Sequence, residues 1–172
     1  AMGIALTADG LMLSTISLRS VIGLRAISFE GWPFTIDFAK DKNGSKVGLA
    51  DSFTLLKTND KDAPKLQPIE LARFESFSVG ERLFSMNIAG EITARYIIGL
   101  GALARPNDPA LSEEIGEVLR VDGVLAPGTL LFRESGQLAG IEIQGGKIII
   151  AEQISAALNN YLKDGVNTPT VL

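Results

Sequence analysis

An all-β fold closed by one C-terminal helix is what this sequence predicts, and three observations carry the expectation. Short apolar runs alternate with polar residues at a period of two, the spacing of a strand with one buried face. Gly-, Asn-, Asp- and Pro-rich turn signals separate these runs, as in sandwiches and barrels. After residue 150 the period changes to that of a helix.

The first element is "GIALTADGLMLSTIS", which reads as a hairpin, two apolar runs joined at Ala8-Asp9-Gly10. "LRAISFEG" and "PFTIDFAKD" alternate as strands, and Asp41-Lys42-Asn43-Gly44-Ser45 is a turn. "VGLADSFTLLKTN" supplies one or two strands before a charged loop from Asn59 to Leu66 that contains Pro64. Leu83 to Ile88 is a strand before a turn at Gly90, and "EITARYIIGLGALA" reads as the next strand pair. Arg105-Pro106-Asn107-Asp108-Pro109 interrupts the chain as a loop. "VLRVDGVL", "GTLLFRESGQLAGIEIQ" and "GKIIIA" continue the strands around turns at Ser135-Gly136 and Gly145-Gly146. In "AEQISAALNNYLKDG", Ile154, Ala157, Leu158, Tyr161 and Leu162 fall on one helical stripe, with Lys163 in the last turn and Gly165 just beyond it.

Composition narrows the chemistry. The chain has 172 residues, 46% hydrophobic and 21% charged, as in a globular protein with a sizeable core. The net charge is −4 and Lys and Arg are scattered, so no nucleic-acid partner is expected. No apolar run approaches the about 18 residues of a membrane-spanning helix. There is no Cys, which excludes disulfides, thiol nucleophiles and thiolate metal sites. There is no His, the commonest general base and metal ligand. Ser-His-Asp and Cys-His catalysis are thereby excluded. Asp37, Asp41, Asp51 and Asp60 lack the spacing of a calcium loop and read as solvated acids. "GLGALA", Gly99 to Ala104, matches a dinucleotide-binding pattern, but Arg105-Pro106 stands where a helix should open. It reads as a strand, and neither a cofactor nor a metal is expected.

Several segments together resemble the HtrA/Deg family of trypsin-like serine proteases, in that family's order. "GIALTADGLMLSTISL" is similar to its opening hairpin, which ends Leu-Thr-Asn-Asn-His-Val. "DSFTLLK" resembles its Asp-Leu-Ala-Leu-Leu-Lys strand, and "VGERLFSMNIAGEITARYIIGLGALARP" its Val-Gly-Glu and Thr-x-Gly-Ile-Val-Ser segments. "VDGVLAPGTLLFRESGQLAGI" resembles the stretch around Asn-Pro-Gly-Asn-Ser-Gly-Gly-Pro-Leu, and "GKIIIAEQISAALNNYLKDG" the closing strand and helix. The resemblance covers almost the whole chain. It implies a trypsin-like double six-stranded β-barrel with an active-site cleft between the barrels and a C-terminal helix. The first barrel would take about residues 1–78, the second barrel and the helix about 79–165. Residues 166–172 would begin a linker towards a PDZ domain outside this chain. The resemblance also implies an extracytoplasmic place, periplasmic or membrane-anchored. Relatives assemble as trimers through an N-terminal segment, so this fragment is expected to be monomeric while a full-length protein would oligomerise.

Carried over position by position, the family's catalytic roles fall on residues unable to fill them. The general base falls on Ser17, which has no basic group. The orienting Asp falls on Ser52; Asp51 is one step away and so on the other face of the strand. Asp122 and Pro127-Gly128 match the family's Asp and Pro-Gly. Thr129-Leu130-Leu131-Phe132 then replaces Asn-Ser-Gly-Gly-Pro-Leu, in a loop about three residues shorter. The nucleophile position is Leu130 without a gap, or is deleted beside Thr129 with one. The Ser-Gly-Gly backbone that aims N–H groups at an oxyanion goes with it.

The expectation is therefore a catalytically inactive domain, a pseudoprotease, that binds or scaffolds a protein or peptide. The degenerate positions Ser17, Ser52, Thr129 and Leu130 read as residues of a disused cleft. A hydrolase built on the same hydroxyls, or a purely architectural barrel, are the alternatives; hydroxyls without a base are poor nucleophiles. Trp32 reads as a corner residue packed on a barrel, with an exposed binding patch as the other reading. Leu130, Phe132 and Trp32 are the candidates for partner contact.

Overall fold

The computed structural model describes residues 3–14, 24–28, 31–50, 53–58, 61, 65–102, 117–144 and 147–164. The expected loop at residues 105–109, the Gly145-Gly146 turn and Gly165 lie outside these. Among the described residues the first strands are β1 (Gly3–Ala5), β2 (Leu11–Ser14), β3 (Leu24–Ile27), β4 (Pro33–Phe38), β5 (Gly48–Ala50) and β6 (Phe53–Lys57). A single 3₁₀ turn (Phe74–Ser76) precedes β7 (Arg82–Met86), β8 (Ile92–Ala102) and β9 (Glu117–Val121). Then come β10 (Leu130–Arg133), β11 (Leu138–Gln144), β12 (Lys147–Ile150) and the helix α1 (Ala151–Asp164).

The first six strands form one antiparallel sheet in the order β1-β2-β6-β4-β3, with β5 also on β6. The opening hairpin is where Asp9-Gly10 places it: Leu6 N–H donates to Leu11 O at 2.8 Å and Gly10 N–H to Thr7 O at 3.4 Å. Gly10 has φ 100°, and a Cβ there would stand 2.3 Å from Thr58 Cγ2, so only glycine fits both the backbone and the space. β6 lends one edge to β2 and divides the other between β5 and β4. On β4 the predicted alternation holds, with Phe34 and Phe38 buried and Thr35 and Asp37 exposed. Phe34 and Phe38 form a core with Met12 and Leu56. On β2 and β6 no alternation survives: Leu11 to Ser14 and Thr54 to Leu56 are buried throughout, so both faces of these strands are covered.

The second sheet runs β12-β11-β10-β7-β8-β9, every pair antiparallel. Its two end strands, β12 and β9, come together and nearly close a six-stranded barrel. Leu83, Ile97, Leu119, Val121, Leu131, Ala139 and Ile150 fill it, together with Ala72 and Phe77. Each fully buried Leu or Ile of this kind contributes about 1.5–3 kcal/mol. "EITARYIIGLGALA" was expected as a strand pair, and over Ile92–Ala102 it is one long strand. Its register shifts between Ile97 and Gly99, so the irregularity that the glycines announce is absorbed as a bulge and not as a turn. Gly99 to Ala102 is strand, with no helix opening at the glycines as a dinucleotide-binding turn would require.

The chain groups into two compact units, residues 71–153 and residues 1–70 with 154–172. Residues 71–77 go with the second sheet because Ala72 and Phe77 lie in its core and Ala72 N–H donates to Leu138 O at 2.9 Å. Helix α1 follows β12 without a loop. Gln153 Oε1 accepts from Ile150 N–H at 3.1 Å, which satisfies one of the donors that a helix start leaves open. Ile154 is buried, Leu158 and Tyr161 are half-buried, and Leu162 is exposed, so the apolar stripe narrows towards the C-terminal end.

Candidate functional site

The sequence resemblance placed the nucleophile position in the segment that joins β9 to β10. Asp122 starts it by tying the loop to β8: its Oδ1 accepts from Tyr96 N–H at 2.7 Å and its own N–H donates to Tyr96 O at 3.0 Å. Val124 projects at the tip, 91% exposed, and Leu125 turns back onto the barrel core. Ala126 and Pro127 lie at the surface, and Gly128, buried, takes φ 88°, the left-handed region that a Pro-Gly turn needs.

Thr129 closes this turn. Its N–H and its hydroxyl both donate to Ala126 O, at 3.1 and 2.6 Å. The turn is also fixed to β11: Gly128 N–H donates to Glu142 O at 2.7 Å, and Glu142 N–H to Thr129 O at 2.9 Å. Thr129 is only 3% exposed. Leu130 comes next as the first residue of β10, between Ile141 on one side and Met86 on the other. The hydroxyl is thus engaged as a hydrogen-bond donor within the turn, and the Gly128 amide points its hydrogen at a carbonyl of the next strand.

Ser17 and Ser52 lie outside the described residues. Leu130 is 3% exposed, so as a candidate for partner contact it is corrected: it packs inside the sheet and offers no surface. Phe132 is half-buried, opposite Phe84 and Leu138. Trp32 is 62% exposed and does not pack at a corner. Ser28 N–H donates to Trp32 O at 2.9 Å and Trp32 N–H to Ser28 Oγ at 3.1 Å, a closed turn that carries the indole outward. Among the described residues no three Asp or Glu side chains converge as metal ligands would. Asp41 instead serves its own turn, accepting from Asn43 and Ser45 N–H at 2.8 and 2.9 Å.

A cavity of about 390 Å³ opens beside the Asp122–Thr129 segment. Ile98, Val121, Leu125 and Ile148 form apolar walls, and Arg120, Gly123 and Val124 stand around it. Glu142, 0% exposed, also lines it. Sequence reasoning missed this residue. Its signal was the lone acid in the apolar run Leu138 to Ile143.

A nearly closed antiparallel barrel, a second six-stranded antiparallel sheet and a closing helix define a trypsin-like protease-fold domain. Solved structures that share this fold include HtrA/Deg-type proteases. An HtrA-type protease, AlgW with an S227A substitution and a bound tripeptide, superposes with a TM-score of 0.65 at 16% identity, over 95% of this chain and 56% of its own. Deg5 gives 0.64 at 16% identity, over 94% of this chain and 82% of its own. The inactive form of the Rv3671c Ser343Ala mutant from M. tuberculosis H37Rv gives 0.58 at 16% identity, over 92% and 79%. At this identity the likeness is one of fold, and the chain spans about half the length of the AlgW structures. No family model and no curated protein matches the chain.

Proposed function

We propose that this chain is a catalytically inactive trypsin-like domain, a pseudoprotease of the HtrA/Deg type, that binds or scaffolds a protein or peptide partner. The turn from Ala126 to Leu130 carries the reading. Where such a fold presents a nucleophile, this chain has a buried threonine hydroxyl bonded to Ala126 O, then a buried leucine in a central strand. The Gly128 amide is committed to Glu142 O and so is withheld from an oxyanion. The sequence supports the same conclusion from another side, since a chain without His lacks the general base that activates the serine of this fold.

Peptide recognition is supported by the AlgW structures, which are complexes with a tripeptide and a decapeptide. An extracytoplasmic place, periplasmic or membrane-anchored, goes with the same kinship. Among the described residues no helix is long and apolar enough to cross a membrane. A randomised peptide library incubated with the chain and read by mass spectrometry tests the reading. Peptides captured intact are the expected result. Cleavage at a defined bond, abolished by substituting Ser17, Ser52 or Thr129, would overturn it in favour of a hydrolase.

A further inference from the structure

We propose that the open edge of β8 between Ile92 and Ala94 is a docking site for an extended peptide, which adds a strand there in line with β9. This rests on the binding role proposed above and gives the peptide a place and a pattern. β8 outruns both of its neighbours: Ile92–Tyr96 pairs with β7 on one side, and Ile97–Ala102 pairs with β9 on the other. Tyr96 fixes the direction of the backbone groups. Its N–H and its O are both bonded to Asp122, on the β9 side. Backbone direction alternates along an antiparallel pair, so Ile92 and Ala94 also turn their N–H and C=O to the β9 side, while Thr93 and Arg95 face β7. The Ser85 hydroxyl donates to Thr93 O at 3.2 Å from β7, as this alternation requires. β9 ends at Val121, and Gly123 turns at φ 73°, where a Cβ would collide with the Arg95 guanidinium. Among the described residues no strand faces Ile92 to Ala94 on that side.

The N–H and C=O groups of Ile92 and Ala94 are what a strand of another chain completes. Exposed edges are commonly blunted by Pro, Lys or a bulge, and Ile92-Thr93-Ala94 carries none of these. The side chains set the pattern of the occupant. Ile92, Ala94 and Tyr96 share one face of β8 and are all exposed, Ile92 by 67%, so peptide residues opposite Ile92 and Ala94 gain by being apolar. Thr93 and Arg95 lie on the other face. Arg95 Nε donates to Ser85 Oγ at 3.4 Å, and among the described residues no carboxylate pairs with its guanidinium. The peptide residue opposite Thr93 is diagonal to Arg95, within reach of a long side chain, and an acid there supplies the missing counter-charge. The edge therefore suits an apolar-acidic-apolar triplet, with β-branched residues at its apolar positions.

The experiment is amide hydrogen exchange by NMR on the whole chain, with and without the blocked peptide Thr-Val-Glu-Val-Thr. In the free chain the Ile92 and Ala94 amides are expected to exchange much faster than those of Thr93 and Arg95, and saturating peptide is expected to slow the first two at least about tenfold. The same peptide N-methylated at both valines loses the donors and keeps the side chains, and is expected to bind at least about tenfold more weakly. A glutamine in place of its glutamate is expected to weaken binding about two- to fivefold. Ala94→Pro removes an N–H that no ladder bond uses, and is expected to weaken the peptide about fivefold or more, with the fold checked by circular dichroism. Should that variant fail to fold, the N-methylated peptide makes the same test from the ligand's side. No binding, equal affinity for the N-methylated peptide or for the glutamine peptide, or binding that leaves the Ile92 and Ala94 amides fast would overturn the proposal. So would protection of these amides that rises with chain concentration in the absence of peptide, which assigns the edge to a second copy. Cleavage of the peptide would instead refute the inactive domain and leave the strand pairing standing.

Discussion

Replacing Thr129 by valine exchanges a hydroxyl for a methyl of nearly the same size at a buried position, and so separates a structural role from a chemical one. The substitution removes the 2.6 Å bond from the hydroxyl to Ala126 O. That carbonyl keeps its second donor, the Thr129 N–H at 3.1 Å, so it is not left orphaned. The cost is then that of one net hydrogen bond, about 1 kcal/mol, and not the about 1–3 kcal/mol of stranding a buried polar group. For a chain of this size about 1 kcal/mol lowers Tm by about 2–4 °C. Thermal and urea denaturation followed by far-ultraviolet circular dichroism read the change, and peptide capture is expected to be unaltered. A Thr129→Val variant as stable as the natural chain would refute the turn-closing role. One that abolished a cleavage activity would refute the inactive domain as well.

The same physics sets the outcome of four other substitutions. Leu131→Ala empties a fully buried site in the barrel core and is expected to cost about 2–5 kcal/mol in urea denaturation. Gly10→Ala forces a side chain into a left-handed backbone and against Thr58, and is expected to cost about 2–4 kcal/mol by the same assay. Arg133 bonds Glu81 Oε1 at 2.8 Å and Ser76 O at 2.7 Å and lies over the Phe77 ring, so Arg133→Ala should cost about 1–3 kcal/mol. The Arg82–Glu134 pair is solvent-exposed, and Arg82→Ala should leave the urea midpoint where it is.

Much of the fold was legible because local rules and tertiary structure agree. Asp9-Gly10 and Ser135-Gly136 each made the hairpin turn that their residue types demand, and the stripe from Ile154 marked the helix. The sequence was less informative where burial or regularity comes from elsewhere. Two-sided coverage erased the alternation on β2 and β6. A bulge carried β8 through glycines that read as a break. Trp32 was expected to pack at a corner, but a turn closed by Ser28 leaves it in solvent. At the site, Pro127-Gly128 marked the turn, which Gly128 makes with a φ of 88°. Glu142 stayed hidden because a single acid in a strand looks solvated until the barrel folds around it. It lines its cavity together with Val121 of β9 and Ile148 of β12, residues distant in sequence.

The most direct measurement on the central claim is the intact mass of the chain after prolonged incubation with a fluorophosphonate, which reports any activated serine or threonine without knowledge of a substrate. An inactive domain predicts an unchanged mass, with Thr129 held in its turn and no His in the chain to serve as a base. A stoichiometric adduct mapped to one of these three residues, and lost when that residue is replaced by alanine, would contradict it.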